Sequence, residues 1–225
     1  MSVRALDDFA TSGARHVPGA LKSCLPGLRR VLEPMDASAA GTRLHQVGGL
    51  AEFLEVTGCI GKVAAAVLGE KARPVRAILF NKSAETNWAL GWHQDRTICV
   101  RERKEAPGFG PWTLKSGMIH VSPPIALLEG MVTVRAHLDD VPPTNAPLLI
   151  APGSHRFGRI GEDRIEAVVD SCGTVSCVAA AGDVWLYATP ILHASDAAAD
   201  PRSRRVLQVD YAATSLPYGL EWLGI

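Results

Sequence analysis

The chain has 225 residues, 47% of them hydrophobic and 20% charged, with 23 Lys plus Arg against 23 Asp plus Glu and so no formal net charge. That length suits one domain with a real core, and the charge balance gives no electrostatic case for nucleic acid or an anionic membrane surface. The five cysteines (Cys24, Cys59, Cys99, Cys172 and Cys177) are odd in number and show no CxxC spacing, which argues against a disulfide framework or a cysteine zinc site and for a reducing, cytoplasmic setting. Each reads as a small buried hydrophobe. No run approaches the ~18 apolar residues of a membrane span, and the opening "MSVRALDDFATSGARHVPGAL" has no apolar leader core.

Residues 1–73 read as largely helical. "VRALDDFATSG", "ALKSCLPGLRRVLEPM" and "GGLAEFLEVTGCIGKVAAAVLG" carry apolar residues at three- and four-residue intervals, and Gly69 ends the last as a helix cap. Residues 74–225 change texture. "PVRAILFNKS", "WHQDRTICV", "GMVTVRAHLDDV", "APLLIAPGS", "GTVSCVAAAGDVWLYA" and "RRVLQVDYAA" are short, rich in Val, Ile, Leu and aromatics, and separated by turn residues. Such strands in succession, without helices between them, predict a β-sandwich or barrel. Residues 101–125, "RERKEAPGFGPWTLKSGMIHVSPPI", read as a long functional loop. There is no repeat or linker, so 1–225 reads as one domain.

The chemistry centres on "ALGWHQDRTICV" at 89–100. On a strand, His93 and Asp95 share one face, with Trp92 and Gln94 on the other. Two ionisable groups in an apolar run need compensation from a metal, an ion pair or water. One imidazole and one carboxylate on the same side can form two of the three ligands of the 2-His-1-carboxylate triad that holds non-haem Fe(II). The second histidine has four candidates, His120, His137, His155 and His193. His193 closes an apolar run. Arg204 then opens the next strand, so an antiparallel return brings the two together. A buried arginine suits the far carboxylate of a co-substrate such as 2-oxoglutarate.

His93-x-Asp95, His193 and Arg204, in that order, resemble the phytanoyl-CoA dioxygenase family of Fe(II)/2-oxoglutarate oxygenases. "GWHQD" is similar to the family's metal pair. "VRAHLDDVPPTNAPLLIAPGSHRFG" resembles its "LDD"–"NGPL"–"PGSHxxG" segment, with Ala146 where Gly is usual. "AGDVWLYATPILHAS" resembles its "GD…H-x-S" segment. The resemblance implies a mainly β fold: a double-stranded β-helix (jelly roll, cupin-like) with flanking N-terminal α-helices. It further implies Fe(II) on His93, Asp95 and His193, with 2-oxoglutarate and O2 as co-substrates, and oxidation, most simply hydroxylation, of a small molecule's C–H bond with release of succinate and CO2. The intact Asp95 argues against halogenation, while desaturation, epoxidation and ring formation stay open. Two rival readings are a cupin-type metalloenzyme that does not use 2-oxoglutarate and a non-catalytic small-molecule-binding jelly roll.

The resemblance also points to a polar residue near Asn81 for the inner carboxylate of 2-oxoglutarate, with Lys82 competing. Thr133, which shares strand parity with Arg135 and His137, is a further co-substrate contact. Trp112, in the long loop, and Gln208, in parity with Arg204, are expected to touch the primary substrate. His155, in "PGSH", is read as structural, and His16 and His45, in the helical part, as ordinary surface or capping residues. Asp139 and Asp140 read as turn residues, and Arg96, Arg101, Arg103 and Lys104 as a solvated charged stretch.

Overall fold

The computed structural model describes residues 8–35 and 40–225. Its helices are α1 (Phe9–Ser12), α2 (Leu25–Leu32), α3 (Ala51–Leu54), α4 (Cys59–Leu68), α5 (Ile125–Glu129) and α6 (Ile165–Cys172). Its strands are β1 (Ala14–Val17), β2 (Gly41–Leu44), β3 (Arg73–Lys82), β4 (Leu90–His93), β5 (Ile98–Val100), β6 (Trp112–Lys115), β7 (Met118–Val121), β8 (Met131–His137), β9 (Leu148–Ile150), β10 (Val175–Cys177), β11 (Val184–Ala188), β12 (His193–Ser195) and β13 (Arg204–Ala212).

The strands form a six-stranded sheet in the order β1-β11-β8-β13-β3-β2, a four-stranded sheet β10-β9-β12-β4 and a three-stranded sheet β5-β7-β6. All pairings are antiparallel. The large sheet shows why its strands mix apolar and charged residues. On β8, Val132, Val134 and Ala136 face the helices, and on β13 so do Leu207, Val209 and Tyr211. There they join Leu28, Leu54, Ile60 and Ala64 in the main apolar cluster. The alternate residues Thr133, Arg135 and His137, and Arg204, Val206, Gln208 and Asp210, point the other way, as a period of two requires. The four-stranded sheet closes over that second face, and Leu148, Ile150, Val175 and Cys177 pack on Trp185 and Tyr187 of the large sheet. Two sheets wrapped face to face in this way, with helices outside, make the predicted double-stranded β-helix.

Several expectations need correction. The first 73 residues are not simply helical: β1 and β2 supply both edges of the large sheet. The expected helix over "VRALDDFATSG" lies partly outside the described residues, and inside them it is the single turn Phe9–Ser12. The segment "GGLAEFLEVTGCIGKVAAAVLG" folds as two helices, of which α4 ends at Gly69 (φ 77°) as expected. Residues 101–125 are not one loop. "WTLK" and "MIHV" form a hairpin whose turn residues Ser116 and Gly117 both have positive φ (50° and 74°), the form that follows the twist of its strands. Helices α5 and α6 interrupt the strands. Finally, Cys24 at the start of α2 is disulfide-bonded to Cys59 at the start of α4. This corrects the reading of all five cysteines as unpaired, and the argument for a reducing compartment loses its premise. No described helix is long and apolar enough to cross a membrane.

Candidate active site

His93 ends β4 and His193 begins β12, and the register makes them direct cross-strand partners. Their rings lie 4.2 Å apart between centroids. Each Nδ1 is held by a backbone carbonyl two residues upstream: His93 on Gly91 at 2.8 Å and His193 on Ile191 at 3.0 Å. This shared bond fixes ring orientation and leaves both Nε2 atoms free, the arrangement that prepares histidine for a metal. Burial lowers the His193 pKa to about 4 against the pull of Asp95, so the ring is neutral near pH 7, as a ligand must be.

The chain leaves the strand after His93, and Gln94 sets its path. Gln94 is 4% exposed. Its Nε2 donates to the carbonyls of Pro190 (2.7 Å) and Gly158 (2.9 Å), and its Oε1 accepts from the amide of Ile160 (2.9 Å). With Gln94 locked on one side, Asp95 returns to the side of His93, as the sequence pattern predicts, while Trp92 packs outward near α6. Asp95 Oδ2 accepts from Gln208 Nε2 at 3.3 Å and lies 3.3 Å from Arg76. Gln208 is itself oriented by Arg135, which donates to its Oε1 at 2.8 Å. Burial opposes ionisation of Asp95, but Arg76 and the two histidines outweigh it and hold the carboxyl below its usual range. Behind it, Arg76 is bonded at 2.5 Å to Asp210, whose pKa burial raises and whose other oxygen accepts from Thr133 at 3.0 Å.

These groups border a cavity of about 390 Å³. Among the described residues no three His, Cys, Asp or Glu side chains are closed around a point in a way that holds a metal ion as they stand. The donor chemistry nonetheless fits one: two imidazoles whose Nε2 atoms have no partner among the described residues, that of His193 neutral, beside a carboxylate held charged.

Arg204 is 3% exposed and lines the same cavity. Its Nη1 donates to the carbonyls of Asn145 and Ala146, and its Nε has no partner among the described residues. Burial, then the neighbouring Arg135, lowers its pKa to about 10, which still leaves it charged. Arg205 points away and forms a two-pronged ion pair with Asp139, at 2.8 and 2.9 Å. Strand parity thus sends the adjacent Arg205 away from the cavity, where it is half-buried and paired.

Four sequence expectations are corrected by this geometry. Asn81 pairs with Arg205 in the β13–β3 register, opposite in parity to the cavity-lining Ile78 and Phe80, and does not line the cavity. Lys82, facing Arg204 across the ladder, has the right parity; its Nζ donates to the Asp196 carbonyl at 2.5 Å, and burial followed by Arg204 lowers its pKa to about 8. Thr133 is fully buried beneath the cavity and bonds Asp210 and Thr189. Trp112 packs in a separate cluster around Val121 and Leu128, under the Arg103 guanidinium. Gln208 does line the cavity, but its amide serves Asp95.

The rejected histidines are accounted for. His120 touches Cys99 Sγ at 2.9 Å, outside the cavity. His155 packs on Gly13, where a Cβ would lie 2.2 Å from its Nδ1. The motif around it is structural: Ser154 Oγ accepts from the Leu192 amide at 2.8 Å, steadying the residues just before His193. His16 stacks on Trp185, and Asp140 accepts from the Ala181 amide. Arg101, Arg103 and Lys104 form surface ion pairs, whereas Arg96 lines the cavity. Sequence reasoning missed Arg76, Arg135 and Gln94. A lone arginine in phase with His137 inside "MVTVRAH", and the polar spacer between His93 and Asp95, were the available signals.

A search of curated proteins found no matching relative. Among solved structures, EctD from S. alaskensis, crystallised with 2-oxoglutarate and 5-hydroxyectoine, superimposes with a TM-score of 0.65 at 17% identity, covering 94% of this chain and 76% of that one. The carbocyclase SnoK from nogalamycin biosynthesis gives 0.60 at 18% identity, covering 94% and 83%. HygX from Streptomyces hygroscopicus, with nickel and 2-oxoglutarate bound, gives 0.56 at 17% identity, covering 94% and 87%. These likenesses show the shared fold. The phytanoyl-CoA dioxygenase (PhyH) family profile matches residues 41–206, most of the chain, with His93, Asp95, His193 and Arg204 inside the match, and the chain belongs to that family.

Proposed function

We propose that this protein is an Fe(II)- and 2-oxoglutarate-dependent dioxygenase that oxidises a C–H bond of a small molecule, hydroxylation being the simplest outcome. One observation carries the reading. A cross-strand histidine pair with free Nε2 atoms and a charged Asp95 borders the same cavity as a buried arginine, Arg204, that has no carboxylate partner among the described residues. His93, Asp95 and His193 would hold the iron, and Arg204 the far carboxylate of 2-oxoglutarate, with Lys82 beside it. O2 would be the oxidant: 2-oxoglutarate would give up two electrons and take one oxygen atom as it becomes succinate and CO2, the substrate C–H bond would give up the other two and take the second oxygen atom, and the iron would activate the O2.

The chain's own residues then have defined tasks. Gln208 and Arg76 fix the Asp95 carboxylate and keep it ionised. The Gly91 and Ile191 carbonyls fix the two rings. Phe80, Leu90 and Ile78 give the cavity apolar walls that limit water. The structural neighbours include a protein described as an epimerase, SnoN, as well as the carbocyclase, so the fold serves several outcomes.

Anaerobic addition of Fe(II), then 2-oxoglutarate, tests the reading through the weak visible absorption of the chelate and, in air, through succinate release. Arg204→Ala should weaken 2-oxoglutarate binding by roughly thirty- to several-thousand-fold, since truncating one member of a buried charged pair costs about 2–5 kcal/mol. Arg205→Ala should leave it unchanged. Iron retention without any 2-oxoglutarate effect would favour a cupin-type enzyme, and no iron retention a binding protein. The location in the cytoplasm belongs to the same proposal, and a count of free thiols in the protein from its native compartment checks it.

A further inference from the structure

The cavity's charge is lopsided. Arg43, Arg76, Arg96, Lys115, Arg135 and Arg204 line it against a single carboxylate, Asp95. Arg76 is neutralised by Asp95 and Asp210, and Arg204 stands at the deep, buried end. Two cations at the mouth have no such account. Arg43 lies on edge strand β2, opposite Ile78 in the register, and so on the cavity face of the large sheet. Its Nε is buried with no partner among the described residues, and its Nη1 reaches only Ser116 Oγ, at 3.5 Å. That contact brings the guanidinium to the tip of the β6–β7 hairpin, beside Lys115. No carboxylate among the described residues forms an ion pair with Arg43 or Lys115.

A buried guanidinium nitrogen without an acceptor is costly unless a ligand supplies one. The same cavity carries the apolar side chains of Ile78, Phe80, Trp88 and Leu90. Arg43 and Arg204 sit two strands apart and four residues apart along the ladder, about 16 Å between Cα atoms on standard sheet spacings, so they approach from opposite ends. We propose that the primary substrate is a small acid, its carboxylate or phosphate held by Arg43 and Lys115 at the mouth and its apolar body laid along Ile78, Phe80 and Trp88 toward His93 and His193. This rests on the dioxygenase reading for the role of the acid as substrate. The anion site itself is independent of it.

Calorimetric titration separates the two. The probes are hydrocinnamate, benzyl phosphate and the neutral hydrocinnamamide, added to metal-free protein and to anaerobic Fe(II)-loaded protein saturated with 2-oxoglutarate. At least one acid should bind roughly tenfold or more tighter than the amide, as expected for a charge-assisted contact, and whichever acid does so identifies the head group. Arg43→Met should remove that preference while leaving amide binding unchanged, Lys115→Met should reduce it, and Arg43→Lys, which keeps the charge, should retain part of it. Acids binding no tighter than the amide would overturn the proposal. So would an acid that 2-oxoglutarate displaces and that Arg204→Met, not Arg43→Met, abolishes. A protein that binds the acid through Arg43 but shows no 2-oxoglutarate binding would sink the dioxygenase reading and leave the anion site standing.

Discussion

Gln94 is the spacer of the His-x-Asp pair, and the structure makes it the pivot of the site. Replacing it with Leu keeps side-chain volume nearly constant, so the loss is one of hydrogen bonds rather than packing. Three backbone groups lose their partner at once: the carbonyls of Gly158 and Pro190 and the amide of Ile160. Each buried group left without a partner costs about 1–3 kcal/mol. Local relaxation recovers part of the sum, leaving about 3–6 kcal/mol, a large share of the ~5–15 kcal/mol that holds a domain together. For a chain of this size each kcal/mol moves the melting temperature by about 2–4 °C, so Gln94→Leu should melt roughly 6–24 °C lower. Urea titration at neutral pH, with the slope checked against wild type, gives the free energy directly. The segment 93–95 also loses its anchor, so Fe(II) retention should fall in the fraction that stays folded. A loss under about 1 kcal/mol would mean that Gln94 does not anchor the turn, and the account of how Asp95 reaches the side of His93 would fail with it.

Burial, then Arg135 and Arg204, lowers the His137 pKa to about 3 from 6.5. The unfolded chain therefore takes up a proton below about 6.5 that the folded chain refuses, and stability is whole above that pH and falls toward 3; urea titrations from neutral to acid pH should show a shallower fall for His137→Phe, and an unchanged fall would refute the assignment. The Cys24–Cys59 bond closes a separation of 35 residues, so its reduction should cost about 3–4 kcal/mol and raise the thiol count from three to five; five thiols in oxidised protein would refute the pairing. Ala146 has φ 47°, where a side chain is strained, so Ala146→Gly should stabilise by about 0.5–1 kcal/mol in the same titrations, and destabilisation would show that the Ala146 methyl group matters more than its backbone.

The legible parts of this molecule are those written in strand parity. A period of two places His93 with Asp95, and Arg204 with Val206 and Gln208, on one side, and the ladders keep that period because a slip would bury Arg205 and expose Leu207. The second histidine is not fixed by pattern alone. Four candidates end or line apolar runs, and only the pairing of β12 with β4, a long-range contact, sets His193 against His93. Asn81 fails for a related reason: the face of β3 that meets the cavity is settled by its register with β13, and that register pairs Asn81 with Arg205. Trp112 is misplaced from sequence because Gly and Pro in "PGFGP" suggest a loop, while the signal for a hairpin lies further on, in the Ser116-Gly117 turn. The Cys24–Cys59 bond joins two helices whose packing no local pattern reveals.

The interior of the barrel is chemically unlike an ordinary core, and that difference is itself an argument about function. Arg135 lies close enough to Arg204 to disfavour its charge, both keep an Nε without a partner among the described residues, and no carboxylate among those residues pairs with either. Two buried guanidinium groups in that state lower the stability of the empty protein. The apolar face on the other side of the same strands, packed on α2, α3 and α4, offsets the cost. A dianion entering the cavity would replace repulsion with attraction and give the orphaned nitrogens acceptors, so its binding free energy includes relief of strain already present in the fold. The sheet thus divides its labour strand by strand: one set of alternate residues on β8 and β13 makes the protein stable, and the other set, at the expense of that stability, puts unpaired cations in the cavity beside a pair of histidines.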